Sequence, residues 1–240
     1  MEEQTADRLW DLANTDPKRF MAILADYSQM EDRLRCRLVS HETNFNYFTA
    51  GPYLKHPMGE VALFFDAGEN DGVRIQYHVS YEIAQKWGKS EKQLMDTALE
   101  NMEKYEKYTL KDMDEAIAEI VGITLPEDYR PFFPMPLLSN ERGEYGATSI
   151  LYPGILKKIR EEIGMDYFVL PTSVHELTIM PKYPFLTARD IEVTILKDNR
   201  ELLNEDDVLS NAVFEYTEEK GRMEKCSTGT REQIRKEESR

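Results

Sequence analysis

Near the start of the chain, hydrophobic side chains recur about every 3.6 positions, which is the spacing of an amphipathic helix. Asp16 stands directly before Pro17, and this pair predicts a helix start, because Asp is a good cap and Pro is tolerated in the first turn. The periodic positions are Phe20, Ile23, Leu24, Tyr27, Leu34 and Leu38. The pattern predicts helices over about residues 5–38, with Arg33 and Arg37 one turn apart on a solvated face.

Two runs further along predict a β-hairpin. Residues 73–79 alternate strictly between apolar and polar side chains, and residues 61–65 supply a second apolar run. The segment between them resembles a calcium loop only superficially. Asp71 stands where the sharp-turn glycine belongs, and Tyr77 stands where the bidentate Glu belongs. We therefore predict a turn there and no metal site.

Helix signals follow the hairpin. A short helix is predicted to end at Gly88, and Ser90 and Gln93 form a capping box for the next one. Another helix is predicted from Thr109 to Gly122. Its residues Met113, Ala116, Ile117 and Ile120 are predicted to face inward.

The second half of the chain mixes helix and strand signals. Helices are predicted over residues 150–163 and from Thr187 to about Leu203, and a closing hairpin over residues 213–224. Helices and hairpins in mixed order predict an α+β fold. We expect it to pack as a single domain over residues 1–226.

The segment from Leu125 to Pro136 is rich in proline, which excludes helix and favours an extended crossing. It contains the adjacent pair Phe132 and Phe133. Two interpretations stay open. The pair could be a docking site, or the segment could be a strap that covers the edge of the core, which is the more common arrangement.

Residues 167–181 concentrate polar, reactive side chains inside an apolar run. Two strands are predicted here, broken at Pro171-Thr172. In the second strand Ser173 and His175 share one face, while Glu176 lies on the other. These three residues are the catalytic candidates of the sequence.

The candidates complete no known motif. A zinc protease needs two histidines one helical turn apart, and a hydrolase elbow needs glycines around its serine. A Ser173–His175 pair would need a carboxylate from elsewhere to orient the imidazole. The alternative is a partly buried, hydrogen-bonded histidine that stabilises a corner. His41, His56 and His78 have no ligand spacing, and no phosphate-binding or dinucleotide-binding loop occurs. No cofactor and no metal is predicted.

Charge narrows the choice of partners. The formal net charge is -15, and a surface of this sign repels nucleic acid and anionic lipid. Residues 215–240 hold as many basic as acidic residues, so the excess lies earlier in the chain. Residues 227–240 are charged and unpatterned, which predicts a disordered tail.

Two observations bear on location. Cys36 and Cys226 are isolated from each other, which is typical of a reducing compartment. The start of the chain lacks the pattern of a secretion signal, and no apolar run is long enough to cross a membrane. We expect a cytoplasmic protein.

A family resemblance rests on the same polar stretch. Residues 167–181 resemble the core Y-x-L-P-S-S-x-H-E-x-x-x-x-P of a bacterial family of unknown function that is abundant in Firmicutes. Further blocks resemble that family at residues 138–140, 146–147, 151–153 and 208–216. The resemblance extends over about residues 33–223, with a shorter front end than in typical members and Thr172 in place of the usual Ser. It implies no activity, cofactor or partner, only that the Ser173–Glu176 corner is characteristic.

These observations lead to three hypotheses. The first is a non-enzymatic interaction or regulatory protein that binds an unknown protein partner through an acidic surface. The alternative is a hydrolase-like enzyme that uses His175 with Ser173 or Glu176. A weaker alternative is an acidic inhibitor or nucleic-acid mimic from a mobile element, which requires a one-sided stripe of charge.

Overall fold

The computed structural model describes residues 8–40, 42–44, 49–171 and 173–226. Its helices and antiparallel sheets confirm the predicted α+β class. The chain divides into two compact units, one of residues up to His56 with Glu60–Lys107, the other of Pro57–Gly59 with the chain from Tyr108 onwards. The single domain and the disordered tail both stay predictions, and residues 227–240 lie outside the described part.

The first unit packs helices against a sheet of four strands. The bounds are α1 (Leu9–Thr15), α2 (Pro17–Ala25), α3 (Tyr27–Met30), a 3-10 turn (Glu31–Arg33), β1 (Leu34–Val39), β2 (Tyr53–His56), β3 (Gly59–Asn70), β4 (Val73–His78), α4 (Tyr81–Trp87) and α5 (Glu91–Tyr105). The sheet has the order β1-β3-β2, and β4 pairs with the far half of β3.

The front end confirms one prediction and corrects another. Asp16 caps α2, since its side chain accepts the Arg19 N–H at 3.1 Å. The helix predicted to continue to residue 38 ends at Met30, and Leu34–Val39 is strand β1. Residues four positions apart, such as Leu34 and Leu38, fit a strand face as well as a helix face. Pairing with β3 decides in favour of the strand.

The predicted hairpin is confirmed as β3 and β4, with a longer first strand than expected. Its turn consists of Asp71 and Gly72, both with positive φ (52° and 80°), the conformation of a tight two-residue turn. A register shift between Asp66 and Gly68 marks a bulge in β3. The capping box of Ser90 and Gln93 is also confirmed, at the start of α5.

The second unit is built on a sheet of six strands, in which neighbouring strands are antiparallel. The bounds are β5 (Tyr108–Asp112), α6 (Met113–Val121), β6 (Pro136–Asn140), a 3-10 helix (Gly146–Leu151), α7 (Ile155–Ile163), β7 (Tyr167–Leu170), β8 (Leu177–Pro181), α8 (Ala188–Leu202), a 3-10 turn (Glu205–Asp207), β9 (Phe214–Thr217) and β10 (Arg222–Lys225). The strand order is β10-β9-β7-β8-β6-β5. One core cluster joins α8 to β7, through Ile191 and Ile195 against Phe168 and Leu170.

Two helix starts in this unit differ from prediction. The helix predicted from Thr109 begins at Met113, because the preceding residues pair with β6 as strand β5. The helix predicted from residue 150 begins at Ile155. Pro153 and Gly154, the latter with φ of 74°, separate it from the preceding 3-10 helix. Among the described residues no helix is long and apolar enough to cross a membrane.

Candidate functional site

The sequence candidates lie in the second unit, in the loop between β7 and β8. The strand predicted from Ser173 is wrong in its first four residues, since β8 begins only at Leu177. The Ser173 Oγ accepts hydrogen bonds from the backbone N–H groups of His175 and Glu176, at 3.0 and 3.1 Å. Such bonds offer the backbone an alternative to the strand ladder, so the serine closes a turn.

Both ring nitrogens of His175 lie against named partners. Nδ1 accepts the backbone N–H of Tyr145 at 3.2 Å, and Nε2 lies 3.3 Å from Asp207 Oδ1. Because Nδ1 is an acceptor, the neutral ring carries its proton on Nε2. This N–H then donates a hydrogen bond to the Asp207 carboxylate. Asp207 is thus the carboxylate from elsewhere that a Ser–His pair would need, and sequence spacing gave no sign of it.

The backbone around the imidazole is closely packed. A Cβ on Gly146 would lie 2.3 Å from the Ser139 Oγ and 2.6 Å from the His175 carbonyl oxygen. That same hydroxyl donates to the His175 carbonyl at 2.8 Å, and Tyr145 holds a positive φ of 51°. We call Tyr145, Ser173, His175, Glu176 and Asp207 the His175 corner. It joins three loops of the second unit.

The chemistry of the His175 corner is limited by these bonds. In the described part of the chain no hydrogen bond joins the Ser173 hydroxyl to the imidazole, although the sequence predicted that the two share a face. Glu176 is half-buried, and burial raises the pKa of its carboxyl. The groups that a nucleophile and its base would need are instead engaged with the backbone and with Asp207.

Within the described residues, no three or more His, Cys, Asp or Glu side chains are placed to hold a metal ion. Burial lowers the pKa of His56 to about 4, and it also lowers that of His78. Both imidazoles are therefore neutral at physiological pH. His41 lies outside the described residues.

Sequence reasoning missed a buried ionic cluster in the first unit. Glu106, just past the end of α5, faces three guanidinium groups at 2.7 Å (Arg74), 3.3 Å (Arg35) and 3.5 Å (Arg37). Asp66, at the β3 bulge, lies 3.2 Å from both Arg35 and Arg74. We call these five residues the Glu106 cluster.

Arg37 illustrates how deeply this cluster is buried. It is 1% exposed, and its Nε donates to the Gln76 Oε1 at 3.0 Å. Burial lowers the pKa of the Arg37 guanidinium. The predicted solvated position of Arg37 is therefore wrong. A strand interpretation would have found the signal, because Arg35 and Arg37 alternate with Leu34, Cys36 and Leu38.

The first unit also holds an apolar cleft of about 230 Å³. Helices α1, α2 and α4 form it together with β3 and β4. Its lining is Ala13, Phe20, Leu24, Phe65, Tyr77, His78, Val79, Ser80 and Ile83.

A cluster of aromatic rings lies at the surface of the second unit. We call Phe132, Phe133, Tyr183 and Phe185 the aromatic patch. The Phe133 ring centroid is 4.6 Å from that of Phe132, 5.3 Å from Tyr183 and 5.5 Å from Phe185. Phe132 is 89% exposed, and Phe133 and Phe185 are also exposed. The proline-rich segment thus leaves its Phe-Phe pair accessible to solvent.

Helix α6 exposes apolar residues as well, and the prediction that Ile117 and Ile120 face inward is wrong. Ile120 is 84% exposed, Ile117 and Val121 are exposed, and the one buried residue of the helix is Ala118. An amphipathic helix ordinarily buries its apolar stripe. We call Met113, Ile117, Ile120 and Val121 the α6 face.

Asp112 connects helix α6 to the proline-rich segment. Its Oδ1 caps α6 through the Asp114 N–H at 3.0 Å, and its Oδ2 accepts the Met135 N–H at 2.9 Å. Burial raises the pKa of the Tyr183 hydroxyl, and the Asp112 charge adds to this effect. One carboxylate therefore connects the start of α6 with the segment that carries Phe132 and Phe133.

These features define an α+β protein of two compact units, with a hydrogen-bonded loop corner, a buried ionic cluster and two exposed apolar surfaces. The model of DUF5688, a family of unknown function, matches residues 3–218, so the chain belongs to this family. The predicted membership in a family of unknown function is confirmed, while the core motif and the Firmicutes origin stay predictions. No curated protein and no solved structure matches the chain.

Proposed function

We propose that this protein is a non-enzymatic interaction protein that binds a partner protein through the surface of its second unit. The observation that carries the proposal is the aromatic patch. Its four rings contact one another, and three of them are exposed. Exposed clusters of large apolar side chains on soluble proteins mark interaction sites, and aromatic residues are enriched in interfaces.

Charge supports a protein partner over a nucleic acid. Residues 108–226 hold 23 Asp or Glu and 13 Lys or Arg, a larger acidic excess than in the rest of the chain. A surface of this sign repels phosphate backbones. The acidic excess of the unit that carries these exposed rings favours a partner that carries positive charge.

A cytoplasmic location in a Firmicutes-type bacterium belongs to the same proposal. Both cysteines are free, which is typical of a reducing compartment. Burial raises the pKa of the Cys36 thiol to about 12, so this thiol is not an activated nucleophile.

One observation favours the hydrolase alternative. Asp207 lies 3.3 Å from His175 Nε2, as the orienting carboxylate of a catalytic histidine would. The second ring nitrogen is then the position for the base, but Nδ1 accepts the Tyr145 N–H. The hydrolase interpretation therefore requires that this bond break before the imidazole can accept a proton.

Site-specific photo-crosslinking tests the proposal. A photoreactive phenylalanine analogue replaces Phe132 in the native host, and the same analogue replaces Val73, which is 63% exposed in the first unit. We expect one discrete adduct from position 132, lost in the Phe185→Ser background, and none from position 73. Equal adducts from both positions, or none from either, would contradict the proposal.

A further inference from the structure

The chemistry of helix α6 indicates what kind of partner the second unit takes. From the α6 face and the charges around it, we infer that the partner presents a basic amphipathic segment. Its apolar side packs on the α6 face, and its Lys or Arg side chains lie against acidic residues of the same helix and of the segment that follows it. This inference rests on the proposed function, because it presumes a protein partner.

The first step concerns the exposed helix face. Three of the four side chains of the α6 face are exposed, and Ile120 is 84% exposed. Ile117, Ile120 and Val121 follow the i, i+3, i+4 spacing of one helical stripe. An apolar stripe of this spacing is what a groove-bound or paired amphipathic helix packs against. Ile123, just past the end of α6, is exposed beside it.

The second step concerns charge. Residues 112–128 hold six acidic residues and no Lys or Arg. Asp114, Glu127 and Asp128 are exposed, and Asp114 lies beside the stripe, three residues before Ile117. The basic residue immediately before the segment, Lys111, is engaged by Glu119 at 2.8 Å. A surface that combines exposed isoleucines with acidic side chains complements a segment that combines apolar with basic side chains.

The same charges argue against the other occupants. A second copy of the chain would bring two acidic α6 surfaces together, and each chain already carries -15. An anionic lipid surface is disfavoured for the same reason. A neutral or acidic helix would bury the isoleucines but would leave the acidic residues without partners.

The test uses two synthetic peptides with the same apolar positions. One has two heptads of Leu-Lys-Lys-Leu-Leu-Lys-Leu, and the other replaces each Lys by Glu. Calorimetric titration of the full chain measures both. We expect binding of the Lys peptide and none of the Glu peptide, and Ile120→Ser should weaken the Lys peptide about tenfold. Val73→Ser, at an exposed apolar position of the first unit, is the matched control and should leave the affinity unchanged.

A second variant examines the charges. Asp114→Asn should weaken the Lys peptide more at low salt than at high salt, because exposed charges are screened by ions. Circular dichroism verifies that each variant is folded, as expected for substitutions at exposed positions.

Three outcomes would overturn the inference. They are an equal effect of Ile120→Ser and Val73→Ser, binding of both peptides alike, or self-association of the wild-type chain that Ile120→Ser abolishes. The proposed function fails separately, by the absence of a discrete adduct at position 132. A discrete adduct there, together with an unchanged affinity of Ile120→Ser, would retain the function and reject this partner.

Discussion

The Glu106 cluster and the His175 corner are both built from distant chain segments, yet they differ in charge and in burial. The first unites three guanidinium groups and two carboxylates, with Arg37 almost fully buried. The second places one imidazole beside one carboxylate in a turn that backbone hydrogen bonds close, and the His175 side chain is 38% exposed. Sequence inspection selected the second and overlooked the first. Reactive side chains that are adjacent in sequence attract notice, whereas charges brought together by a sheet do not.

The difference also concerns stability. A buried charge that loses its partner is costly, while a neutral turn that loses one hydrogen bond costs much less. We therefore expect substitutions in the Glu106 cluster to lower the free energy of unfolding much more than substitutions in the His175 corner. Both tryptophans, Trp10 and Trp87, belong to the first unit, so tryptophan fluorescence reports the unfolding of that unit.

The largest effect is expected from Glu106→Gln. This change leaves two buried guanidinium groups and the partly buried one of Arg74 with one carboxylate, and removal of a partner from a buried ionic group costs about 3–5 kcal/mol. Urea unfolding followed by tryptophan fluorescence measures the loss. The control is Glu103→Gln, an exposed position on α5, which should change the free energy of unfolding by less than about 0.5 kcal/mol. Equal effects of the two variants would show that the cluster is not a buried ionic centre.

Acid should weaken the first unit through His56. Burial lowers the folded-state pKa of His56 to about 4, and the unfolded value is about 6.5. Because the unfolded chain binds the extra proton, this contribution is fully present above pH 6.5 and is lost as the pH falls towards 4. The loss is about 3 kcal/mol at most. Urea unfolding at pH 7 and at pH 4.5 measures it, and His56→Gln should remove that part of the pH dependence. Identical pH profiles of the two chains would refute the assignment.

Gly146→Ala should disturb the His175 corner by a smaller amount. The added Cβ meets the Ser139 hydroxyl and the His175 carbonyl, and such overpacking costs about 2 kcal/mol. Gly143→Ala is the matched control. Nothing lies within 4 Å of its Cβ, so only its positive φ of 68° opposes the change, at about 1 kcal/mol. Hydrogen exchange of residues 167–181 measures both, and a larger effect at Gly143 would contradict the packing described.

The smallest effect is expected from Ser173→Ala. The hydroxyl accepts two backbone N–H groups, and its loss should cost about 1–2 kcal/mol. Ser173→Thr keeps the hydroxyl and should restore most of the stability. The same pair of variants addresses the hydrolase alternative. If the wild-type chain hydrolyses an ester substrate and Ser173→Ala abolishes this turnover with the fold intact, Ser173 is a catalytic residue and does more than close a turn.

Local patterns were enough to predict part of the fold. The cap at Asp16, the capping box at Ser90 and the hairpin of β3 and β4 depend on neighbouring residues, and all three are confirmed. Strand β1 was missed because Leu34 and Leu38 fit both periodicities, and only pairing with β3 separates them. Strand β5 was missed for a similar reason, since its partner β6 lies beyond the proline-rich segment.

The candidate site, too, could be predicted only in part from local patterns. Ser173, His175 and Glu176 lie together as expected, but their backbone is a turn, and Asp207 enters from a distant loop. The outward side of α6 could not be predicted, because its apolar period is that of a buried helix. Periodicity shows which side chains share a face. It does not show whether the chain itself covers that face.

The state of the His175 imidazole tests most directly whether the corner is structural and the function lies elsewhere. A two-bond ¹H–¹⁵N spectrum at pH 8 distinguishes the two neutral tautomers. The hydrogen bonds described here predict a single form with the proton on Nε2 and an unprotonated Nδ1, unchanged in Ser173→Ala. A proton on Nδ1, or a tautomer that changes when the Ser173 hydroxyl is removed, would couple the serine to the imidazole. That result would contradict the structural role and favour the enzyme.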